Sequence, residues 1–322
     1  MKKVAKRCLP VLWLGLFLAC TAPPERPGDR FPARFPARFK DSPHGARSTL
    51  EDSNAQVARA ATLFKAGRYE QCLAICELLL EERRAVRKTE TLRFLAAEAH
   101  YQQGEFELAL FGYRRLLDDF PFTRAHGVIP DRLFVIGSAL AEQPRPILGG
   151  VMHNRKPGIE ALGFLVVNYP EHRQADQAWL ILADQHEQEA SYALAVEAYR
   201  RLLARRPGIG IREQALHRLA ACLFRQTRGA AYDAQPMITA FHVAKQYLAE
   251  FKDGAYQSQV RELVVQIEGA VRRSELLIAD FYRHQDNQQG ARLHEERSRT
   301  LEALRQPLPL DAAMLLTPAM RP

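Results

Sequence analysis

GEFELALFGYRRLLDDFP (Gly104–Pro121) and ASYALAVEAYRRLLARRP (Ala190–Pro207) share one skeleton: an aromatic residue, two positions, Ala, three positions, Tyr, two positions, Leu, four positions, Pro. Self-similarity at fixed spacing is the mark of a repeat architecture. Upstream of each copy stand FLAAEAHYQQ (Phe94–Gln103) and WLILADQHEQ (Trp179–Gln188), both amphipathic at helical spacing. Each unit therefore reads as a helix, a tight turn and a second helix stopped by Pro. Ala at the crossing lets two helix backbones approach, and an aromatic side chain fills the space towards the next unit.

These positions resemble the signature of tetratricopeptide repeats. Trp179, Leu182, Ala183, Ala195, Tyr199 and Pro207 hold it in the later copy, and Ala97, Ala109, Tyr113 and Pro121 in the earlier one. Weaker copies extend the series. Val57–Arg83 carries Ala60, Gly67 and Tyr69 in register, with Cys72 where the crossing Ala is expected. A third unit, IPDRLFVIGSALAEQ followed by GIEALGFLVVNYP, is lengthened by PRPILGGVMHNRKP (Pro144–Pro157), read as an inserted loop. A fifth holds REQALHRLAACLFRQ and MITAFHVAKQYLAEF around a loop at Thr227–Pro236. Two further helices are expected at about Tyr256–His284 and Asn287–Leu304, and no strand pattern is evident. The expected fold is all-α: a tetratricopeptide-repeat superhelix of about five helix-turn-helix repeats plus a C-terminal helical extension.

The N-terminus reads differently. Lys2, Lys3, Lys6 and Arg7 precede an apolar run from Leu9 to Ala19. As a helix that run rises only about 17 Å, against about 30 Å of bilayer hydrocarbon. It is a secretory leader by layout. Leu18-Ala19-Cys20 resembles the acylation motif of bacterial lipoproteins, with Phe17 where Leu is usual, so Cys20 is the expected attachment point for lipid such as palmitate. Thr21 after the Cys, rather than Asp, points by that resemblance to the outer membrane. The expected organisation is a signal peptide (1–19), a lipid-anchored Pro/Arg-rich linker (20–52), the repeat domain (53–305) and a C-terminal tail (306–322). The linker repeats itself in RFPARFPARFK (Arg30–Lys40), a spacer by its Pro content. Its alternating Phe and Arg also suit lipid headgroups or a partner.

Of the 322 residues, 47% are apolar and 25% charged, which suits a sizeable core, and the formal net charge is +8. Leader and linker hold most of that excess, leaving the repeats close to neutral, so nucleic-acid binding loses its electrostatic basis. Of the five cysteines Cys8 leaves with the leader and Cys20 is the expected anchor, and the remaining Cys72, Cys76 and Cys222, an odd number at scattered spacing, make no disulfide framework. Cys72 and Cys76, one turn apart, are expected in the packed face of a helix. LHEERS at Leu293 lacks the second His of a zinc-protease helix. His186 and Glu187 are adjacent and so do not share a helix face. No catalytic, metal or cofactor site is expected.

Over roughly Ala55 to Leu304 the chain resembles the BamD family, the lipoproteins of the outer-membrane β-barrel assembly machinery. The resemblance rests on the leader, the repeat number and spacing, the lengthened fifth repeat and the ending SELLIADFYRHQDNQQGARLHEER. There Glu275, Ile278, Ala279, Phe281 and Tyr282 correspond, while Gln288 and His294 depart from the family's aromatic and Arg. It implies a non-enzymatic, periplasm-facing scaffold held at the outer membrane. Its C-terminal repeats would dock the periplasmic domains of the central assembly β-barrel protein, and its N-terminal repeats would receive unfolded barrel substrates. Phe64, Lys65, Phe94, Glu98 and Tyr101 are the candidate peptide-binding residues on the first helices, with packing between repeats as the competing role for Phe64 and Phe94. A periplasmic repeat adaptor of cell division is the alternative, although that class carries a coiled coil where this chain has a Pro/Arg tether. An envelope hydrolase would need a separate catalytic domain.

Overall fold

The computed structural model describes residues 50–81, 89–142, 145–147, 152–227 and 235–305. The leader, Cys20, the Phe/Arg linker and the tail from Gln306 lie outside the described residues, as do parts of the two long loops. Ser48–Pro322 forms one compact unit.

Among the described residues the helices run in sequential pairs: α1 (Leu50–Lys65) with α2 (Tyr69–Glu81), α3 (Thr89–Gln102) with α4 (Phe106–Asp119), and α5 (Ile129–Glu142) with α6 (Lys156–Asn168). Then come α7 (Ala175–Gln188) with α8 (Tyr192–Ala204), α9 (Ile209–Gln226) with α10 (Gln235–Glu250), and α11 (Gln257–His284) with α12 (Gln288–Thr300). Each helix packs on the next, and α1 on α3, α5 on α7 and α7 on α9. A predominance of near-neighbour contacts is what a stacked-repeat protein needs, and the final turn Glu302–Arg305 also packs back on α10. Three apolar cores follow one another, and Trp179 packs against both the central and the C-terminal one. This is the bridging role expected of it.

The turns explain why the pairs are so alike. Gly67 and Gly104 both have φ +74°, the left-handed conformation that glycine adopts without penalty. Around them Arg68 N–H donates to Leu63 O (2.9 Å) and Gly67 N–H to Phe64 O (3.0 Å), and Glu105 and Gly104 repeat the pattern on His100 and Tyr101. This paired bonding is the Schellman helix stop. The same two bonds recur at Ser191 and Ala190, although Ala190 (φ 54°) is no glycine.

They recur once more at the C-terminus. Asn287 N–H donates to Tyr282 O (3.0 Å) and Asp286 N–H to Arg283 O (3.1 Å), with Asp286 at φ 56°. Counting from that turn, Ala279 and Ala291 fall on the crossing positions held by Ala97 and Ala109, and by Ala183 and Ala195, and all six are buried. The second half of α11 and α12 thus form a helix pair in repeat register, and the extension continues the stack. In the first pair Ala60 and Cys72 hold the same positions, both fully buried. Cys72 substitutes for the crossing Ala, with Cys76 one turn on and the two sulfurs 4.0 Å apart.

One expectation fails. The insertion in the third repeat is not wholly irregular: Arg145–Ile147 (β1) and Met152–Asn154 (β2) pair antiparallel, Pro146 opposite His153. Three-residue strands are too short to show alternation. The Gly149-Gly150 between them in sequence is the signal that marks such a hairpin.

Candidate partner-binding site

Phe64 closes α1 and meets Tyr69 across the turn edge to face, centroids 5.4 Å apart. One repeat later Tyr101 and Phe106 form the same pair at 5.8 Å. Because the turn geometry is identical, the two pairs stand in register along one edge of the first two repeats. Their rings are half-buried, whereas Lys65 is exposed in the last turn of α1, where its charge complements the helix dipole. Phe94 is half-buried and packs against the central core.

Glu98 is placed otherwise than its polarity suggests. It is only 4% exposed. One carboxylate oxygen accepts from the Tyr113 hydroxyl (2.6 Å) and Arg132 Nε (3.1 Å), and the other from Arg132 Nη2 (3.2 Å). The Arg132 guanidinium, from the next repeat, lies 4.5 Å over the Tyr101 ring. Glu98 therefore does not face a ligand: it fixes Arg132 against Tyr101 and so shapes the aromatic wall from behind. Burial, then the Glu98 charge, pushes the Tyr113 hydroxyl far above its usual range, keeping it a donor. Bidentate pairing and the ring contact hold one guanidinium in a single orientation.

The later copy of the signature keeps part of this clasp. Tyr199 donates to Asp184, as Tyr113 does to Glu98, and Arg218 stands where Arg132 does. Here, however, Glu187 replaces Tyr101. Its side chain is 8% exposed and accepts from Arg218 Nη1 (3.2 Å) and Arg225 Nη1 (2.7 Å). The equivalent wall is thus aromatic in the second repeat and ionic in the fourth. Sequence reasoning missed Arg132, Arg218 and Arg225, whose partners lie in the preceding repeat. For Arg132 and Arg218 the available signal was their recurrence at one interval from Glu98 and Asp184; Arg225 has no counterpart in the earlier copy.

The fifth pair uses a related device. Tyr247 donates to Glu213 (2.8 Å) and accepts from Tyr256 N–H (2.9 Å), while buried Arg212 grips Glu250 through Nε (2.6 Å) and Nη2 (3.0 Å). In the last pair His294 Nδ1 meets a Glu275 oxygen at 2.7 Å, and the His294 ring stacks on Tyr282. His294 thus joins α12 to α11 through that carboxylate.

Among the described residues no group of His, Cys, Asp and Glu is placed to hold a metal ion. Cys222 is buried, and that burial, then Glu187, pushes its thiol up to about 12, far from a nucleophile at neutral pH. The hydrogen bond with Cys72 and burial likewise push the Cys76 thiol upward. None of the described helices is long and apolar enough to cross a membrane. What the surface offers is aromatic and charged side chains on rigid helices, which suits protein–protein interaction.

No curated protein matches the chain. Solved structures with some likeness include PilW, a widely conserved type IV pilus biogenesis factor, at 17% identity over 83% of this chain and 99% of that one, with a TM-score of 0.29. Another is pilF of Pseudomonas aeruginosa, at 16% identity over 79% of this chain and 93% of that one, TM-score 0.28. A third is the C-terminal part of a TPR repeat-containing protein from Cytophaga hutchinsonii, at 11% identity over 81% of this chain and 99% of that one, TM-score 0.30. Superpositions this loose carry no functional inference. Residues 154–293, from the end of β2 into α12, match the model of the family YfiO, described as outer membrane lipoprotein, which is the BamD family that the repeats and the ending of this chain resemble.

Proposed function

We propose that this chain is a lipid-anchored, periplasm-facing scaffold of the outer-membrane β-barrel assembly machinery, without catalytic activity of its own. The observation that carries the reading is the match of residues 154–293 to an outer membrane lipoprotein family. The leader (1–19) followed directly by Cys20 supports it from a separate part of the chain, since an acylated cysteine supplies the anchor of an outer membrane lipoprotein. In this reading the C-terminal pairs dock the periplasmic domains of the central barrel protein. The aromatic edge of the first two repeats receives extended, unfolded barrel segments, with Phe64, Phe94 and Tyr101 offering ring faces beside Lys65. Glu98 acts one layer back by holding Arg132 in place. Arginine held over an aromatic ring presents outward hydrogen-bond donors without further loss of side-chain freedom, which favours contact with a peptide carbonyl.

Crosslinking in intact cells, followed by purification from detergent-solubilised membranes, tests the scaffold role. A large β-barrel protein with periplasmic domains is the expected co-purifying species, and its absence from crosslinked material overturns the reading. Metabolic labelling with a fatty acid tests the anchor separately. Wild type is expected to take up label and Cys20→Ala to take up none.

A further inference from the structure

The three most exposed large apolar side chains among the described residues are Phe122 (99%), Ile209 (79%) and Val167 (70%). They lie close to three successive connections between helix pairs, at different positions in each. Phe122 follows α4, Val167 is in the last turn of α6, and Ile209 opens α9 just after the α8 stop. Each therefore marks the junction between one repeat and the next, in three consecutive repeats.

Side-chain bonds show that these junctions form one continuous edge. His126 bridges Pro121 O (2.7 Å) and the Tyr169 hydroxyl (2.8 Å), which ties the residue before Phe122 to the segment just after Val167. Arg173 donates to Asp131 (2.9 Å), linking the next connection back to the start of α5. Arg205 then donates to Asp176 (2.7 Å), joining the end of α8, four residues before Ile209, to the start of α7. The row is thus fixed by five elements and does not depend on loop position alone.

Arginines stand between the apolar tips. Arg124 and Arg206 are exposed and have no acidic partner among the described residues, while Arg173 is 76% exposed beside its Asp131 contact. Asp118 and Glu171 are exposed acids on the same edge. Isolated apolar tips that protrude between guanidinium groups do not make a groove for a helix or a strand. They fit a lipid surface, where side chains insert to headgroup depth and arginines meet phosphate.

We infer that this inter-repeat edge, through Phe122, Val167 and Ile209 with Arg124, Arg173 and Arg206, is a second membrane contact that rests on anionic phospholipid headgroups. It goes beyond the scaffold reading, because it concerns how the repeats sit at the membrane whichever proteins they bind. A tether that already concentrates the chain at the bilayer lets a weak second contact set orientation.

Vesicle flotation tests it, using a chain that starts at Thr21 and so lacks leader and Cys20. Every described helix lies within the compact unit Ser48–Pro322, so this chain keeps the stack whole. Wild type is expected to float with vesicles of phosphatidylethanolamine and phosphatidylglycerol, more weakly with phosphatidylcholine alone, and less at high salt. The combined variant Phe122→Ser, Val167→Ser, Ile209→Ser is expected to lose at least about 10-fold in partitioning. Its far-UV circular dichroism should match wild type, because all three side chains are exposed. Val265→Ser with Leu277→Ser, also apolar and exposed (66% and 59%) but on α11, is expected to float as wild type. The inference is overturned if wild type does not float, or if the edge variant floats as well as wild type. It is likewise overturned if the edge variant changes only self-association in light scattering, which would make the edge a contact between copies. Barrel proteins are absent from this assay, so its failure is distinguishable from failure of the scaffold reading.

Discussion

Two glycines in α6 separate packing from helix propensity. A Cβ on Gly158 would lie 2.8 Å from Ala141 N, 3.0 Å from Gly137 O and 3.0 Å from Leu140 C. All three atoms are α5 backbone, so no rotamer change relieves the clash and the two helices must part. A Cβ on Gly163 meets nothing within 4 Å. Overpacking of this kind costs about 1–3 kcal/mol. Replacing glycine by alanine in a helix interior returns up to about 1 kcal/mol, and less near the N-terminus, where Gly158 sits. Gly158→Ala should therefore destabilise by about 1–2 kcal/mol net, and Gly163→Ala should stabilise by about 0.5–1 kcal/mol. Urea unfolding followed by far-UV circular dichroism reads both, with an unchanged m-value showing that the native stack is retained. The same sign of shift for the two variants, or a stabilised Gly158→Ala, refutes the close α5–α6 crossing.

Three further outcomes follow from the turns and clasps. Ala190→Gly should raise stability by about 0.5–1 kcal/mol in the same assay, because the residue sits at φ 54° where a Cβ is penalised. Tyr113→Phe removes the 2.6 Å bond to buried Glu98 and should cost about 1–3 kcal/mol; a change under about 0.5 kcal/mol would mean that Arg132 alone satisfies the carboxylate. His186 and His217 both have a buried Nδ1 without a partner, and burial depresses both pKa values, reinforced at His217 by Arg218 and Arg225 and opposed by Glu187 and Glu213. Since the folded values lie below the ordinary 6.5, the stability from keeping them neutral is complete above that pH and is lost as pH falls through the depressed values. Asp184, raised by burial, works in the opposite direction. The test is the difference between wild type and His217→Gln: the variant's melting temperature should fall less on acidification.

Much of the fold was legible because repeats announce themselves through small residues at crossings and glycine at turns. Ala97 with Ala109 and Ala183 with Ala195 gave the pairs, and Gly67 and Gly104 gave the stops. The last pair was harder to see because Asp286 occupies the left-handed position where glycine was the cue. The hairpin at Arg145–Asn154 was missed because three residues show no period. The site was less legible than the fold for a different reason. Glu98 is charged and so reads as surface, but Tyr113 and Arg132 neutralise it inside, and Arg132 comes from the following repeat. A pattern within one helix cannot reveal a partner in the next one. The exposed edge at Phe122, Val167 and Ile209 was equally hidden, since each residue looks like ordinary apolar filling until the junctions are seen side by side.

The scaffold role is tested most directly by depleting the chain in cells and measuring folded barrel proteins in the outer membrane by their heat-modifiable migration. The account predicts that folded barrel species fall as the chain is depleted and return when wild type is restored. Unchanged levels of folded barrels, with depletion of the chain verified, would contradict it.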